Sequence, residues 1–411
     1  MFKVSNRFYS FIALLFVFLS LLGYQLATTV LLPMTSDGTA VSQTVTYPYR
    51  AVVFVLAFFL IVATPFEKKI SSSPRVTAIY IVFMLVYFIR ILVDIFVRQV
   101  YIQPDFQRVV LQYMFIAMIP SIWATARCAK YIDYDRLNRW LMFGGVLLLV
   151  VTVLNQNSLI AAEYKEMARG EGNIALGSIG FGHTCLSLFI IFLSWIVCHK
   201  QGTRIWKVVL IMLMVLSFVL MLRAASRGPL LSFVVVILFY LFSRMKNKIV
   251  GLIISLVFIL LVWVNMSTIL DWLGSISPMM EQRMAATMYE EDSSGRDSLY
   301  KQAVDIFLQN PVLGKQFVLN NGFYSHNSIL DVMIGLGFFG ALFWIYLIWN
   351  DLKLSNRNVF NKTSLITISL LSVQFILKGF FSGAMYTHNE LAICMLVVLS
   401  VSQSHYTMSQ H

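Results

Sequence analysis

Apolar runs such as "FYSFIALLFVFLSLLGYQLATTVLL" near the start and "LAICMLVVLSVSQ" near the end recur about twelve times along the chain. Many come close to the roughly 20 residues that a helix needs to cross a bilayer. Composition agrees: 59% of the 411 residues are hydrophobic, 12% are charged, and mean hydropathy is +0.77, far from the balance of a soluble domain. The expectation is an all-α, polytopic membrane protein with helices at 8–32, 48–66, 76–97, 109–127, 140–161, 176–198, 208–224, 229–243, 249–266, 328–349, 363–382 and 390–404. The first run follows "MFKVSNR", is too long for a signal-peptide core and has no small-residue cleavage site after it, so it is expected to be retained. Cys128, Cys185, Cys198 and Cys394 fall in or beside apolar runs without paired spacing, and read as packing residues.

The formal net charge of +12 would suggest nucleic-acid binding in a soluble chain, but its distribution gives it another meaning. With the N-terminus inside and alternating helices, the short segments "MFKVSNR", "EKKISSSPR", "ARCAKYIDYDRLNR", "HKQGTRIWK", "SRMKNK" and "DLKLSNRNVFNK" hold 18 of the 31 Lys and Arg. That bias is the positive-inside pattern, and an even number of helices then puts both termini in the cytoplasm. No linker rich in Pro, Gly or Ser divides the chain, which reads as one transmembrane domain over residues 1–411 without an internal repeat.

One external connection, residues 267–325, is much longer than the rest, and loops of that length are uncommon unless structured or functional. Within it, "SSGRDSLYKQAVDIFLQNP" offers Ser294 as an N-cap with Asp297 three residues on. Leu299, Ala303, Ile306 and Phe307 follow at helical spacing, with Pro311 beyond the end. An amphipathic helix lying on the outer membrane surface or on the bundle is expected there.

The ionisable residues at the outer ends need more than topology to explain them. Arg90 and Asp94 stand four apart in "YFIRILVDIFVR" and are expected to form a structural ion pair, since a lone charge in a membrane helix is costly. Arg223 and Arg227 stand four apart in "LMLRAASRGPLLSF", on one face of the seventh helix, with Gly228 and Pro229 breaking it just after. Two such guanidinium groups either snorkel to the interface or grip a diphosphate. Arg169 lies in the glycine-rich "EMARGEGNIALGSIGFGH". Arg296 opens the loop helix, where a cation opposes the dipole unless an anion is near; it reads either as an anion contact or as a solvated residue.

His326 and His388 face outside at helix ends, each followed by asparagine. An interfacial histidine is either a polar anchor or a base near neutral pH. Asp331 lies one turn below Asn327 rather than below His326, so a local His–Asp dyad is not expected. Gly337 and Gly340 would let the helix after His326 pack closely on a neighbour. The acidic "YEED" reads as solvated loop rather than a cation site, and no phosphate-binding loop, HExxH or zinc cluster is present. No metal or cofactor is expected.

Together these positions resemble the O-antigen ligase and polymerase superfamily of bacterial envelope glycosyltransferases. The ligase signature, H[NSQ] then nine residues then GxxG, is matched by His326, Asn327, Gly337 and Gly340. "RGPLL", Arg227 to Leu231, resembles the family's Arg-x3-Leu element, and "SGRDSLYKQAVDIFLQNPVLGK" its GR-helix-P-x-x-G segment, with Arg296, Pro311 and Gly314. The likeness spans roughly Arg223 to Ala341; the first third of the chain matches only in helix pattern.

The resemblance implies a C-type glycosyltransferase-like bundle with a helical periplasmic loop, in a bacterial inner membrane. It implies metal-independent, inverting transfer of a saccharide from an undecaprenyl-diphosphate carrier to an acceptor hydroxyl. Arg227 and Arg296, with Arg223 and Arg169 beside them, would hold the diphosphate, and His326 would orient or deprotonate the acceptor. Partners so implied are the lipid-linked glycan donor, a glycan or lipid A core acceptor, membrane lipid, a chain-length regulator and a flippase. The acceptor distinguishes polymerase from ligase. Polymerases carry an Arg-x10-Gly element in the third external loop, matched by Arg169 and Gly180, but a second in the fifth is absent, so polymerase is favoured only slightly. A lipid-linked glycan transporter would show repeats and midplane broken helices, and an inactive scaffold leaves Arg227, Arg296 and His326 unexplained.

Overall fold

The computed structural model describes residues 2–31, 38–66, 74–159, 177–198, 203–289 and 296–401. In hydrocarbon every backbone polar group must be satisfied within its own segment, and the chain answers with helices almost throughout. Nine described helices are long and apolar enough to span a membrane. They are α1 (Asn6–Leu31), α2 (Thr44–Val62), α3 (Arg75–Val97), α4 (Pro104–Tyr131), α5 (Tyr134–Leu154), α6 (Gly177–Cys198), α7 (Arg204–Arg223), α8 (Arg227–Arg244) and, later in the chain, Ser328–Asn361. A tenth is reached if α9 (Lys248–Val264) and α10 (Met266–Ile276), bent by 73°, count as one span.

Each of the twelve expected apolar segments contains a helix, but not all have bilayer length. After α11 (Pro278–Tyr289), α12 (Arg296–Gln309) and α13 (Ser328–Asn361) come α14 (Ile366–Phe381) and α15 (Asn389–Val401), of only 16 and 13 residues. At 1.5 Å per residue, α15 covers about 20 Å, short of a hydrocarbon core of about 30 Å. Every residue from Leu391 to Val401 is buried, as are Ile366 to Ile376 of α14. A helix apolar all round is buried all round when it lies at the core, and here these two short apolar helices form the centre that longer ones enclose. By contrast, α9 exposes Leu252, Ile253, Leu256, Leu260 and Trp263 and lies at the periphery.

Sequence pattern missed a two-stranded parallel pairing of β1 (Phe2–Val4) with β2 (Ala63–Pro65), in register Phe2 with Ala63. It also missed three π-helical turns inside spans, at Leu19–Gly23, Val93–Val97 and Tyr113–Met118.

The expected Arg90–Asp94 pair is present and larger than expected. Fully buried Asp94 accepts from Arg90 Nε and Arg98 Nη1, each at 2.9 Å, and from the backbone N of Phe317 at 2.9 Å. Both arginines also donate to the carbonyl of Lys315. A buried carboxylate needs such a full set of donors to offset its desolvation. The π-helical turn that carries Asp94 thereby anchors residues 315–317, which lead into the site described next.

Candidate functional site

Two helices begin against the end of α14, α8 at Arg227 and α13 just after His326, and α12 begins at Arg296. The mouth of α13 is built by hydrogen bonds within a few residues. Asn327 Oδ1 accepts from the backbone N of Ile329 (2.9 Å) and Leu330 (3.2 Å), an N-cap that satisfies two orphan donors. Asn327 Nδ2 donates to the carbonyl of Phe380 at 3.2 Å, tying this helix start to the last turn of α14.

Asp331, fully buried, does not serve His326. Its Oδ1 accepts from Ser325 N (3.0 Å) and Ser325 Oγ (2.7 Å), and its Oδ2 from Met385 N (3.1 Å). Between these fixed neighbours His326 adopts φ +62°, a left-handed conformation that costs an L-residue about 1–2 kcal/mol. Its half-buried ring lies 4.3 Å, centroid to centroid, from that of Tyr324. The Ser325–Asp331 clamp was missed at the sequence level, where Asp331 was weighed only as a partner for the histidine.

Arg296 is brought to His326 by α12, which turns buried Ala303 and Ile306 onto Leu319 and Ile334 of the α13 side. The amphipathic helix thus lies on the bundle. Burial, and secondly the Arg296 charge, push the His326 imidazole below its ordinary range, so it is neutral at neutral pH. Ser294, the expected cap of α12, lies outside the described residues, as do Arg169 and the acidic residues Glu290 to Asp292.

The expectation that Arg223 and Arg227 share a face of one helix is incorrect. α7 ends at Arg223, and the break falls on Ala224 to Ser226, where Ala225 takes φ +46°. Arg227 is the first residue of α8, while Gly228 and Pro229 sit inside that helix's first turn rather than breaking it. Proline is at home there because the N–H it lacks would have no intrahelical partner. The break is held from the long loop: Arg283 Nη1 donates to the carbonyl of Ala225 at 3.0 Å, and Leu222 and Ala225 pack with Leu270, Leu273 and Met280. Arg223 is exposed and Arg227 half-buried. A β-carbon at Gly228 would lie 3.5 Å from Phe381 Cβ, so Arg227 and Asn327 both start helices against the last turn of α14.

The two glycines after His326 do not serve the close packing of neighbouring helices that their spacing suggests. Gly337 interrupts α13 with φ +70°, ψ −162°, a conformation nearly restricted to glycine. A β-carbon there would stand 2.3 Å from the carbonyl oxygen of Val312. The Pro311–Gly314 turn fills this interruption: Phe338 N donates to Pro311 O (2.7 Å), while Lys315 N (2.8 Å) and Gln316 N (3.0 Å) donate to Ile334 O. Gly314, at φ +73°, is needed for the same reason, its β-carbon position lying 2.5 Å from the Gly335 carbonyl carbon. Gly340 faces Leu336 of its own helix across the kink. The P-x-x-G and GxxG elements are therefore two halves of one lock, itself anchored on Asp94. Gly337→Ala is expected to cost about 3 kcal/mol or more, from backbone strain plus the clash. Thermal unfolding in detergent measures this, and an unchanged Tm would refute the lock.

His388, expected to face outside, is instead buried between α14 and α15 at 4% exposure. Burial, reinforced by the Lys378 charge, pushes its imidazole down to about 3.

No curated protein gives a significant match to the chain. Residues 212–345 match the family model described as O-Antigen ligase, a stretch that includes Arg223, Arg227, Arg296, His326, Asn327, Gly337 and Gly340 but not Arg169. Over residues 212–345 the chain is thus similar to the O-antigen ligase and polymerase family, whose members are membrane enzymes of glycosyltransferase type that act on lipid-linked glycans in polysaccharide biosynthesis.

Proposed function

We propose that the chain is a repeat-unit polymerase that transfers undecaprenyl-diphosphate-linked oligosaccharide at the periplasmic face of a bacterial inner membrane. The observation that carries this reading is that Arg296, opening α12, lies near enough to His326 at the start of α13 for its charge to act on the imidazole, with Arg227 opening α8 against the turn of α14 that Asn327 also touches. Helix starts favour anions, and arginine binds phosphate oxygens in bidentate fashion. Arg227 and Arg296 then hold the diphosphate and Arg223 meets it at the exposed edge, while Arg169, outside the described residues, is a further candidate on sequence alone.

The acceptor hydroxyl oxygen attacks the anomeric carbon from the face opposite the diphosphate. The new C–O bond forms as the bond to phosphate breaks, undecaprenyl diphosphate leaves with the bonding pair, and the hydroxyl proton passes to the His326 imidazole. The anomeric centre inverts, and no metal or cofactor takes part in the proposed step. Negative charge grows on the leaving diphosphate, where preorganised guanidinium groups contribute most. The 18 basic residues in connections at the opposite end of the spans support a periplasmic site with both termini cytoplasmic.

The likeness of residues 212–345 to the O-antigen ligase model favours a second reading, a ligase joining finished polysaccharide to lipid A core. The Arg169–Gly180 spacing tips the choice to polymerase. Deleting the gene decides between them. Single repeat units capping the lipopolysaccharide are expected for a lost polymerase, long chains still on the carrier would establish a ligase, and unaltered glycan would refute both.

A further inference from the structure

We infer that a cavity of about 320 Å³ beside this site, walled by α1, α2, α4, α6 and the end of α14, holds the saccharide of the acceptor. The inference rests on the glycosyl-transfer reading above. Its volume lies in the range of ligand pockets, and its walls are polar for the interior of a membrane bundle. His183, at 2% exposure, has both ring nitrogens without a hydrogen-bond partner among the described residues. The same holds for His388 Nε2, Ser20 Oγ, Gln25 Oε1 and Asn389 Oδ1, all on the cavity wall. Nearly all buried polar groups in native proteins are satisfied, so this convergence of donors and acceptors suits an occupant rich in hydroxyls.

Aromatic faces complete the chemistry that a sugar ring requires, with C–H faces on rings and hydroxyls on amides and imidazoles. The rings of Tyr24 and Tyr49 lie 5.5 Å apart, and the Arg50 guanidinium lies 4.3 Å over Tyr113. Two of the π-helical turns, Leu19–Gly23 and Tyr113–Met118, carry Ser20 and Tyr113 on this wall, and such turns often mark functional sites. Of the two cations on the wall, Lys378 stands 3.9 Å from the Glu390 carboxylate and Arg50 lies over the Tyr113 ring, an arrangement unlike the paired arginines expected for the donor's diphosphate.

The cavity adjoins the reacting groups. His183 Nε2 lies 4.0 Å from the β-carbon position of Gly228, the residue after Arg227. The β-carbon position of Gly379 lies 3.9 Å from His388 Cδ2 on one side and 3.2 Å from Ser328 Oγ, next to Asn327, on the other. A saccharide seated here can present a hydroxyl toward His326.

The test uses the full chain in lipid nanodiscs and, as probe, the free repeat-unit oligosaccharide released from its carrier, read by saturation-transfer NMR. Binding is expected for the wild type and for His326→Ala, and about tenfold weaker binding for Gln25→Leu/Asn389→Leu. If the double variant does not fold, Gln25→Met, which keeps the volume, is expected to weaken binding in the same direction. No binding by the wild type, or equal binding by a folded cavity variant, overturns the inference. Polymer formation by His326→Ala would instead overturn the catalytic reading and leave the pocket standing.

Discussion

His326→Ala is expected to lower polymer formation by about 10²–10⁴-fold, the usual contribution of a positioned general base. Elongation of undecaprenyl-diphosphate-linked repeat units by purified protein in nanodiscs measures it. The fold should survive, because Ser325, Asp331 and Asn327 build the mouth of α13 through their own hydrogen bonds. His326→Gly adds a contrast. At φ +62° glycine carries no left-handed penalty, so this variant should melt no lower than wild type while being equally inactive. A residue kept strained where glycine would fit is held for its side chain. Wild-type elongation by either variant would sink the assignment.

Arg296→Gln and Arg227→Gln are each expected to lose about 10²–10³ in rate, as when one preorganised donor to a developing anion is removed. Arg296→Gln carries a second signature. His326 accepts a proton only when neutral, so activity falls as pH drops through its pKa. Burial first and Arg296 second hold that pKa down, and the acid limb of kcat/KM therefore lies below the ordinary histidine value of about 6.5. Removing the Arg296 charge moves the limb to higher pH, whereas Arg227→Gln lowers the rate and leaves the limb in place. In wild type, a bound diphosphate offsets the Arg296 charge, so the limb of kcat should lie above that of kcat/KM. An acid limb indifferent to Arg296→Gln would separate the two residues.

Much of the fold was legible because bilayer physics acts on local sequence. Apolar runs mark helices without knowledge of their neighbours, and the Arg90–Asp94 pair could be expected because a lone charge in a span is costly. Length was less informative at the C-terminus. α14 and α15 read as ordinary spans, yet they are short and enclosed, and enclosure depends on the surrounding helices.

The candidate site could be proposed from residue types at fixed spacing. His326, Asn327, Gly337 and Gly340 could be picked from one segment, Arg296 from its place at a helix start, and Arg227 from its spacing to Arg223 and to Leu231. Their physical relations could not. Arg223 and Arg227, four apart, looked like one face because periodicity assumes an unbroken helix, whereas Ala225 at φ +46° turns the chain between them. His388 looked like His326 because both stand at helix ends and are followed by asparagine, but one is buried on a cavity wall and the other stands at the mouth of α13.

The sequence by itself determined that the chain spans a membrane as helices, and which side chains were available for chemistry at their ends, since both depend on residue type and short-range spacing. Only the tertiary structure decided that Pro311–Gly314 fills the interruption at Gly337, that Asp94 anchors that lock from more than two hundred residues away, and that Arg296 shifts the titration of His326. These depend on contacts between segments distant along the chain, and no local period or propensity encodes which of them will meet.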